Sequence, residues 1–243
     1  MAKSIFKTYD PFGTIDVLDD ANKRYLTFGN EHEQSLQIKD QPHVPQHEYS
    51  RAVMLSLLFN MPSTICVLGL GGGTQVMSLL HSLPHSHITA VELRRAVILI
   101  AKKYFQLPIS SRLDLIEDDG FAYIQQSDKT FDMIIADQYL DFGIDEKMLG
   151  IPFIENCIRR LSSNGMLVLN YWQDHELDTQ LVDYLHNNFA SVFICNSGGG
   201  NVIVYGLMKQ IEHDYMAKEH VKPLATLLGF SLNYYLKRLK QLT

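Results

Sequence analysis

Between Thr64 and Trp172 short apolar runs recur at regular intervals: TICVLGL, HITAVEL, RLDLIEDD, FDMIIADQ and GMLVLNYW, each separated from the next by a stretch of helical composition. Strands spaced by helices predict crossover units, and parallel crossovers lay helices on both faces of one sheet. Upstream, residues 12 to 38 alternate at the two-residue period of half-buried strands in FGTIDVL, KRYLTFG and QSLQIK, broken by the turn formers Asp19-Asp20-Ala21-Asn22 and Gly29-Asn30. That pattern predicts a small antiparallel meander. A proline-bearing link, DQPHVPQHEYS, then leads to a helix over about Tyr49 to Asn60. Near the end, SVFICNS and NVIVYGL flank Gly198-Gly199-Gly200 and predict an antiparallel hairpin. The last segment carries Leu224, Leu228, Leu232, Tyr235 and Leu239 at helical spacing and predicts a terminal helix packed on its own domain. The expected fold is α/β and Rossmann-like. Residues 1 to 45 would form the N-terminal β meander, and residues 46 to 243 a nucleoside-binding domain with its C-terminal helix.

Composition narrows the function. The chain has 243 residues, 46% of them hydrophobic, enough for one large α/β domain with a small appendage. Its 21 Lys and Arg against 27 Asp and Glu give a net charge of -6, which speaks against a nucleic-acid partner. Cys66, Cys157 and Cys195 lie far apart among apolar neighbours, a spacing that suits neither a disulfide framework nor a zinc site. His81, His85 and His87 are read as a solvated turn, because Pro84 breaks the helical register between them, and no metal is expected. The longest apolar run, Ala52 to Phe59, contains Ser56 and is too short to cross a bilayer, and the N-terminus has no leader pattern. A soluble, cytoplasmic protein without a membrane partner is therefore expected. The exposed edges of a meander suggest a homodimer. No G-x-S-x-G elbow or Cys with a placed His occurs.

The chemistry concentrates where the first strand of the series ends. Gly69, Gly71, Gly72 and Gly73 stand at a strand-to-helix switch, where missing β-carbons let backbone amides approach a ligand. The second strand ends in Glu92, nineteen residues past Gly73, where a carboxylate can accept both hydroxyls of a ribose. The third ends in Asp118-Asp119-Gly120-Phe121 and the fourth in Asp137. Each acid taken singly is explained as a helix N-cap or a solvated loop end, but together they line the carboxyl edge where open α/β sheets bind ligands. The loop reads G-L-G-G-G-T-Q, which lacks the third spaced glycine of a dinucleotide site. A nucleoside bearing a sulfonium fits better. Glu92 would take the ribose, Asp119 the adenine amino group and the backbone near Phe121 the ring edge, with several carboxylates around the positive sulfur.

These residues, from VLGLGGGTQVMSLL through ITAVELRRAVILIAKKYF and LDLIEDDGFAYI to FDMIIADQY, resemble the spermidine synthases, the polyamine aminopropyltransferases. The resemblance covers roughly residues 12 to 208. It implies a sheet of the class I methyltransferase type and no prosthetic group. The co-substrate it implies is decarboxylated S-adenosylmethionine or S-adenosylmethionine, with a small-molecule amine as acceptor. Position by position it implies that Glu92 holds the ribose and that Asp119, Gly120 and Phe121 hold the adenine. Gln34 would reach the nucleoside from the meander, Tyr49 would line the substrate site, and Asp137, assisted by Tyr139 or Asp141, would accept the proton of the reacting amine. Departures from the family pattern bear on specificity. Thr74 stands where the family's glycine loop ends in an aspartate that holds the donor's amine, so discrimination against a carboxylate-bearing donor is lost. The family's D-x-x-D-P gate appears as DQYLD, with Phe142 in place of proline, and Asn170 replaces a glutamine. An S-adenosylmethionine-dependent methyltransferase and a non-catalytic nucleoside-binding relative are the alternative readings.

Overall fold

The computed structural model describes residues 2–29, 33–137, 139–140, 143–144, 150–172, 179–211 and 214–242, with backbone alone at 139–140 and 143–144. Four strands come first, β1 (Lys3–Asp10), β2 (Gly13–Asp20), β3 (Lys23–Thr27) and β4 (Glu33–Ile38), paired antiparallel in chain order. The meander is thus one strand larger than the alternation from residue 12 predicts. Ile5 and Tyr9 of β1 lie in solvent, so its apolar positions mark no single buried face and carry little period-two signal. The chain continues through α1 (Glu48–Val53), a 3₁₀ segment (Met54–Leu58), β5 (Thr64–Leu68), α2 (Thr74–Ser82), β6 (His87–Glu92), α3 (Arg95–Tyr104), β7 (Leu113–Glu117), α4 (Gly120–Gln126) and β8 (Phe131–Ala136). A short antiparallel pair follows, β9 (Tyr139–Leu140) with β10 (Gly143–Ile144). Then come α5 (Ile151–Arg160), β11 (Leu161–Trp172), α6 (Thr179–Asn188), β12 (Ser191–Asn196), β13 (Asn201–Leu207), α7 (Lys218–Leu228), α8 (Asn233–Leu236) and β14 (Leu239–Gln241).

Among the described residues the central sheet has the order β14-β12-β13-β11-β8-β5-β6-β7. β11, β8, β5, β6 and β7 run parallel, as the alternation of strands and helices predicts, and β12 with β13 forms the antiparallel hairpin expected around the three glycines. Successive residues of β5 face opposite layers. Ile65 and Val67 join the core beneath α1, α2, α7 and α8, while Cys66 and Leu68 join the core beneath α4, α5 and α6. The chain leaves β5 toward β6 on one side, and β8 lies on the other, so the order of strands reverses between β5 and β8. Open α/β sheets carry their ligand crevice at such a point, above the carboxyl ends of the strands.

The terminal segment departs from the single helix its leucine spacing predicts. Gly229 adopts a left-handed φ of 76° and closes α7, and a β-carbon there would sit 2.9 Å from Val44 Cγ2. Leu224, Leu228, Leu232 and Tyr235 are buried against the domain's own core as expected, but two helical pieces share them and the chain ends as β14, pairing with β12 at the sheet edge. The three histidines of the Pro84 turn also separate. His81 stacks on His43, and His87 Nε2 lies 3.0 Å from Asp114 Oδ2, a carboxylate distant in sequence.

The four-stranded sheet is fastened beside the crevice. Ile15, Val17 and Leu26 pack on Val97 and Ile100 of α3 and on Phe105. Arg94, just past β6, donates from Nε and Nη2 to the two oxygens of Asp10 at 3.0 and 2.8 Å, reaches the Gly13 carbonyl at 2.8 Å, and lies over the Phe28 ring. This part-buried bidentate pair ties the end of β1 and the start of β2 to the chain just past β6.

Candidate functional site

Backbone bonds hold the first residues beyond three strands level with their neighbours. Gly69 N donates to Val91 O (2.8 Å), Asp118 N to Glu92 O (3.2 Å) and Asp137 N to Leu68 O (2.9 Å). A single cleft results, floored by Gly69, Gly71, Glu92, Asp119, Gly120 and Asp137 and covered by Phe28, Gln34 and Tyr49. Three acids from three strand ends therefore converge beside the glycine loop, and two residues that only the family resemblance singled out, Gln34 and Tyr49, close the cleft from the other side.

Glu92 is only 8% exposed, and most of its accepting capacity is already engaged. Oε2 accepts from Leu70 N at 3.0 Å and Gly71 N at 3.4 Å, and Oε1 accepts from Arg94 N at 3.0 Å. Burial pushes its pKa up and these three amide bonds pull it back down. This corrects the expectation of bare amides in the loop, since two of them are bound by the carboxylate that would meet the ribose. Gly69 and Gly71, with φ of 100° and 54°, turn the chain along the cleft floor. Gly72 and Gly73, read from sequence as ligand-facing, do not line the cleft. Gly72 N donates to Ser35 Oγ at 2.8 Å, and a β-carbon on Gly72 would lie 2.8 Å from Phe105 Cδ1. A β-carbon on Gly73 would lie 2.9 Å from Leu107 Cδ1. Two glycines thus shape the cleft and two permit close packing behind it.

Asp119 serves as N-cap of α4, its Oδ1 accepting from Ala122 N at 2.9 Å, and it also borders the cleft. The bland and the functional readings of this acid are compatible. Phe121 turns away: its ring lies against Phe153 in the core, and Gly120 provides the cleft surface on that side. Asp137 stands at the strand-order reversal. Asn170 Nδ2 donates to its Oδ1 at 2.7 Å, and Asn201 Nδ2 donates to Asn170 Oδ1 at 3.0 Å, a relay crossing from β13 through β11 to the end of β8. Burial raises the Asp137 carboxyl to about 6, against the lowering effect of Asn170. A carboxylate so placed is largely ionised at neutral pH yet basic enough to take a proton.

Thr74 opens α2 and faces a smaller cavity that adjoins the cleft and shares Ser35, Tyr49, Leu70 and Asp137 with it. Of the aromatic pair ending β11, Tyr171 is buried in the core, whereas Trp172 is 40% exposed and lies against Gly200 at the hairpin tip. The Tyr139 side chain and Asp141 lie outside the described residues. Sequence reasoning missed Ser35, Arg94 and Asn201. A faint signal existed for Ser35: it and Gln37 are polar residues two apart in β4, and both are buried, Gln37 Nε2 donating to Phe105 O at 2.6 Å.

Residues 46–199 match the family model described as the spermine/spermidine synthase domain. A polyamine aminopropyltransferase of Neisseria meningitidis serogroup A is 32% identical over 181 residues, covering 73% of this chain and 69% of that protein. Another, from Chromobacterium violaceum, is 28% identical over 233 residues, covering 93% and 89%. Among solved structures, spermidine synthase from Thermotoga maritima superposes with a TM-score of 0.73 at 15% identity over 97% of this chain and 84% of that one, a likeness of fold. With the glycine loop, the strand-end acids and the covering meander all in place, the chain belongs to the spermine/spermidine synthase family.

Proposed function

We propose that this protein transfers an aminopropyl group from an adenosyl sulfonium donor, decarboxylated S-adenosylmethionine, to a small-molecule amine. The observation that carries this reading is the convergence of Glu92, Asp119 and Asp137 on one cleft, in a chain whose relatives bear the name polyamine aminopropyltransferase. The nitrogen lone pair of a neutral amine attacks the carbon beside the sulfonium. The carbon–sulfur bond breaks, its electrons return to sulfur, and methylthioadenosine leaves. The new ammonium then gives its proton to Asp137. The sulfonium is a good leaving group already, so the protein contributes alignment and a proton acceptor. Glu92 and Asp119 would fix the nucleoside, and Gln34, Tyr49 and Gly120 would complete its walls.

Incubation with decarboxylated S-adenosylmethionine and a panel of primary amines tests the reading. Mass spectrometry should find methylthioadenosine and one aminopropylated amine in equal amounts. S-adenosylhomocysteine formed from S-adenosylmethionine instead would establish methyl transfer. Asn170 positions Asp137, so Asn170→Leu should move the acid limb of the kcat/KM profile upward by about one pH unit, because a hydrogen bond that lowers the Asp137 pKa is lost. An unmoved limb would show that Asp137 is not the titrating base.

The same reading extends to assembly and compartment. Ile5, Tyr9 and Phe12 expose apolar surface on the first hairpin, which supports a homodimer through that face. The three cysteines are unpaired and buried, as suits a reducing cytoplasm. Among the described residues no helix is long and apolar enough to cross a membrane.

A further inference from the structure

Three polar side chains stand in a row across neighbouring strands of the central sheet. β8 pairs parallel with β11 through Ala136 and Leu169, so Asp137 and Asn170, each one residue further on, lie side by side. β13 runs antiparallel to β11 with Asn201 opposite Trp172, which sets Asn201 diagonally from Asn170 on the same face of the sheet. Ser197 closes the hairpin tip onto this point, its backbone N and its Oγ both donating to Asn201 O at 2.9 Å. Asn170 and Asn201 are each 5% exposed, and Asn201 does not line the cleft.

The polarity of the row follows from its members. An amide side chain donates at one end and accepts at the other, whereas an ionised carboxylate only accepts. Asn170 Nδ2 donates to Asp137 Oδ1 at 2.7 Å, which turns Asn170 Oδ1 the other way, and Asn201 Nδ2 donates to that oxygen at 3.0 Å. Turning Asn170 over would set its carbonyl oxygen against the Asp137 carboxylate and its amino group against that of Asn201. Asn201 therefore holds the donor end of Asn170 toward Asp137 in both protonation states of the acid. An unheld Asn170 would turn over when Asp137 is protonated and accept from the new O–H, stabilising the acid form.

We infer that Asn201 is a positioning residue: without meeting substrate, it sets how readily Asp137 takes the proton by fixing which end of Asn170 faces it. This rests on the proposed function for the role of Asp137. Among the described residues, Glu92, Arg94, Asp119 and Tyr49 share the cleft with Asp137, and His47 shares the adjoining cavity. All five are retained in the variants below, so differences between those variants report the amide row.

The test is the pH profile of kcat/KM for Asn201→Leu, Asn170→Leu and the double variant. Asn201→Leu should move the acid limb upward by about half to one pH unit, the size of one hydrogen bond to the titrating group. That shift lowers kcat/KM by about 3–10-fold at pH 5 and leaves the plateau at pH 8 within about twofold of wild type. The double variant should match Asn170→Leu alone, because Asn201 acts only through Asn170. Methylthioadenosine affinity near the wild-type value certifies a folded cleft. If Asn201→Leu folds poorly, the double variant, which leaves no amide of the row unmatched, still decides against Asn170→Leu. An unmoved limb in Asn201→Leu beside a moved one in Asn170→Leu, or a further shift in the double variant, overturns this inference and leaves the proposed function standing. A limb unmoved in all three overturns the role of Asp137 and this inference with it.

Discussion

Asp137→Asn is expected to lower kcat by about 10²–10⁴-fold, the range that a positioned proton acceptor contributes, while the affinity for uncharged methylthioadenosine changes little. The same substitution should stabilise the protein at alkaline pH. The Asp137 carboxyl sits at about 6 in the folded state against an ordinary 3.8. A carboxyl whose pKa rises on folding favours the folded state fully below its unfolded value and loses that advantage as pH climbs through the folded one. Above pH 6 the ionised, desolvated group therefore costs roughly 2–3 kcal/mol, which an amide does not incur. The variant should melt higher than wild type at pH 8, and the gap should shrink through pH 6 and close below about pH 4. Thermal unfolding at pH 5 and pH 8 beside steady-state kinetics would show both effects. A residue that merely caps the gate would lose stability with no large fall in kcat.

Glu92→Ala should damage stability and binding together. Its carboxylate is the acceptor for Leu70 N, Gly71 N and Arg94 N, so truncation leaves three amides of the glycine loop and the β6 end without it. Leaving buried donors unmatched costs ~1–3 kcal/mol each. Allowing for water entering at Gly71, a loss of about 3–5 kcal/mol is expected, with a fall in Tm on the order of 10 °C at this chain length. Methylthioadenosine affinity should drop by about 100-fold or more, since the ribose acceptor and the loop it shapes go together. Glu92→Gln keeps one carbonyl acceptor and should fall between wild type and Ala on both scales. A Glu92→Ala protein with unaltered Tm would contradict the role assigned to those three bonds.

The parts legible in the sequence are those that depend on residues near one another in the chain. Parallel strands from Thr64 onward announce themselves as apolar runs between helices, and Glu92, Asp119 and Asp137 stand out because each follows such a run directly. What stayed hidden depends on partners brought together by folding. Ser35 meets the Gly72 amide across 37 residues, and Asn201 meets Asn170 across 31. Neither spacing has a local signature. The sequence predicts a glycine loop open to ligand at all four positions, and only the fold shows Phe105 and Leu107 pressed against Gly72 and Gly73. Edge strands were the weakest elements to read. β1 lacks a wholly buried face, and β14 completes a leucine spacing that looks helical until Gly229 interrupts it.

The most direct test is a crystal structure of the protein with methylthioadenosine. The account predicts density for the nucleoside between the glycine loop and Gly120, with the ribose hydroxyls within hydrogen-bonding distance of Glu92, the adenine amino group near Asp119, and the sulfur opening toward Asp137. Nucleoside bound elsewhere, or seated with its ribose away from Glu92, would contradict it.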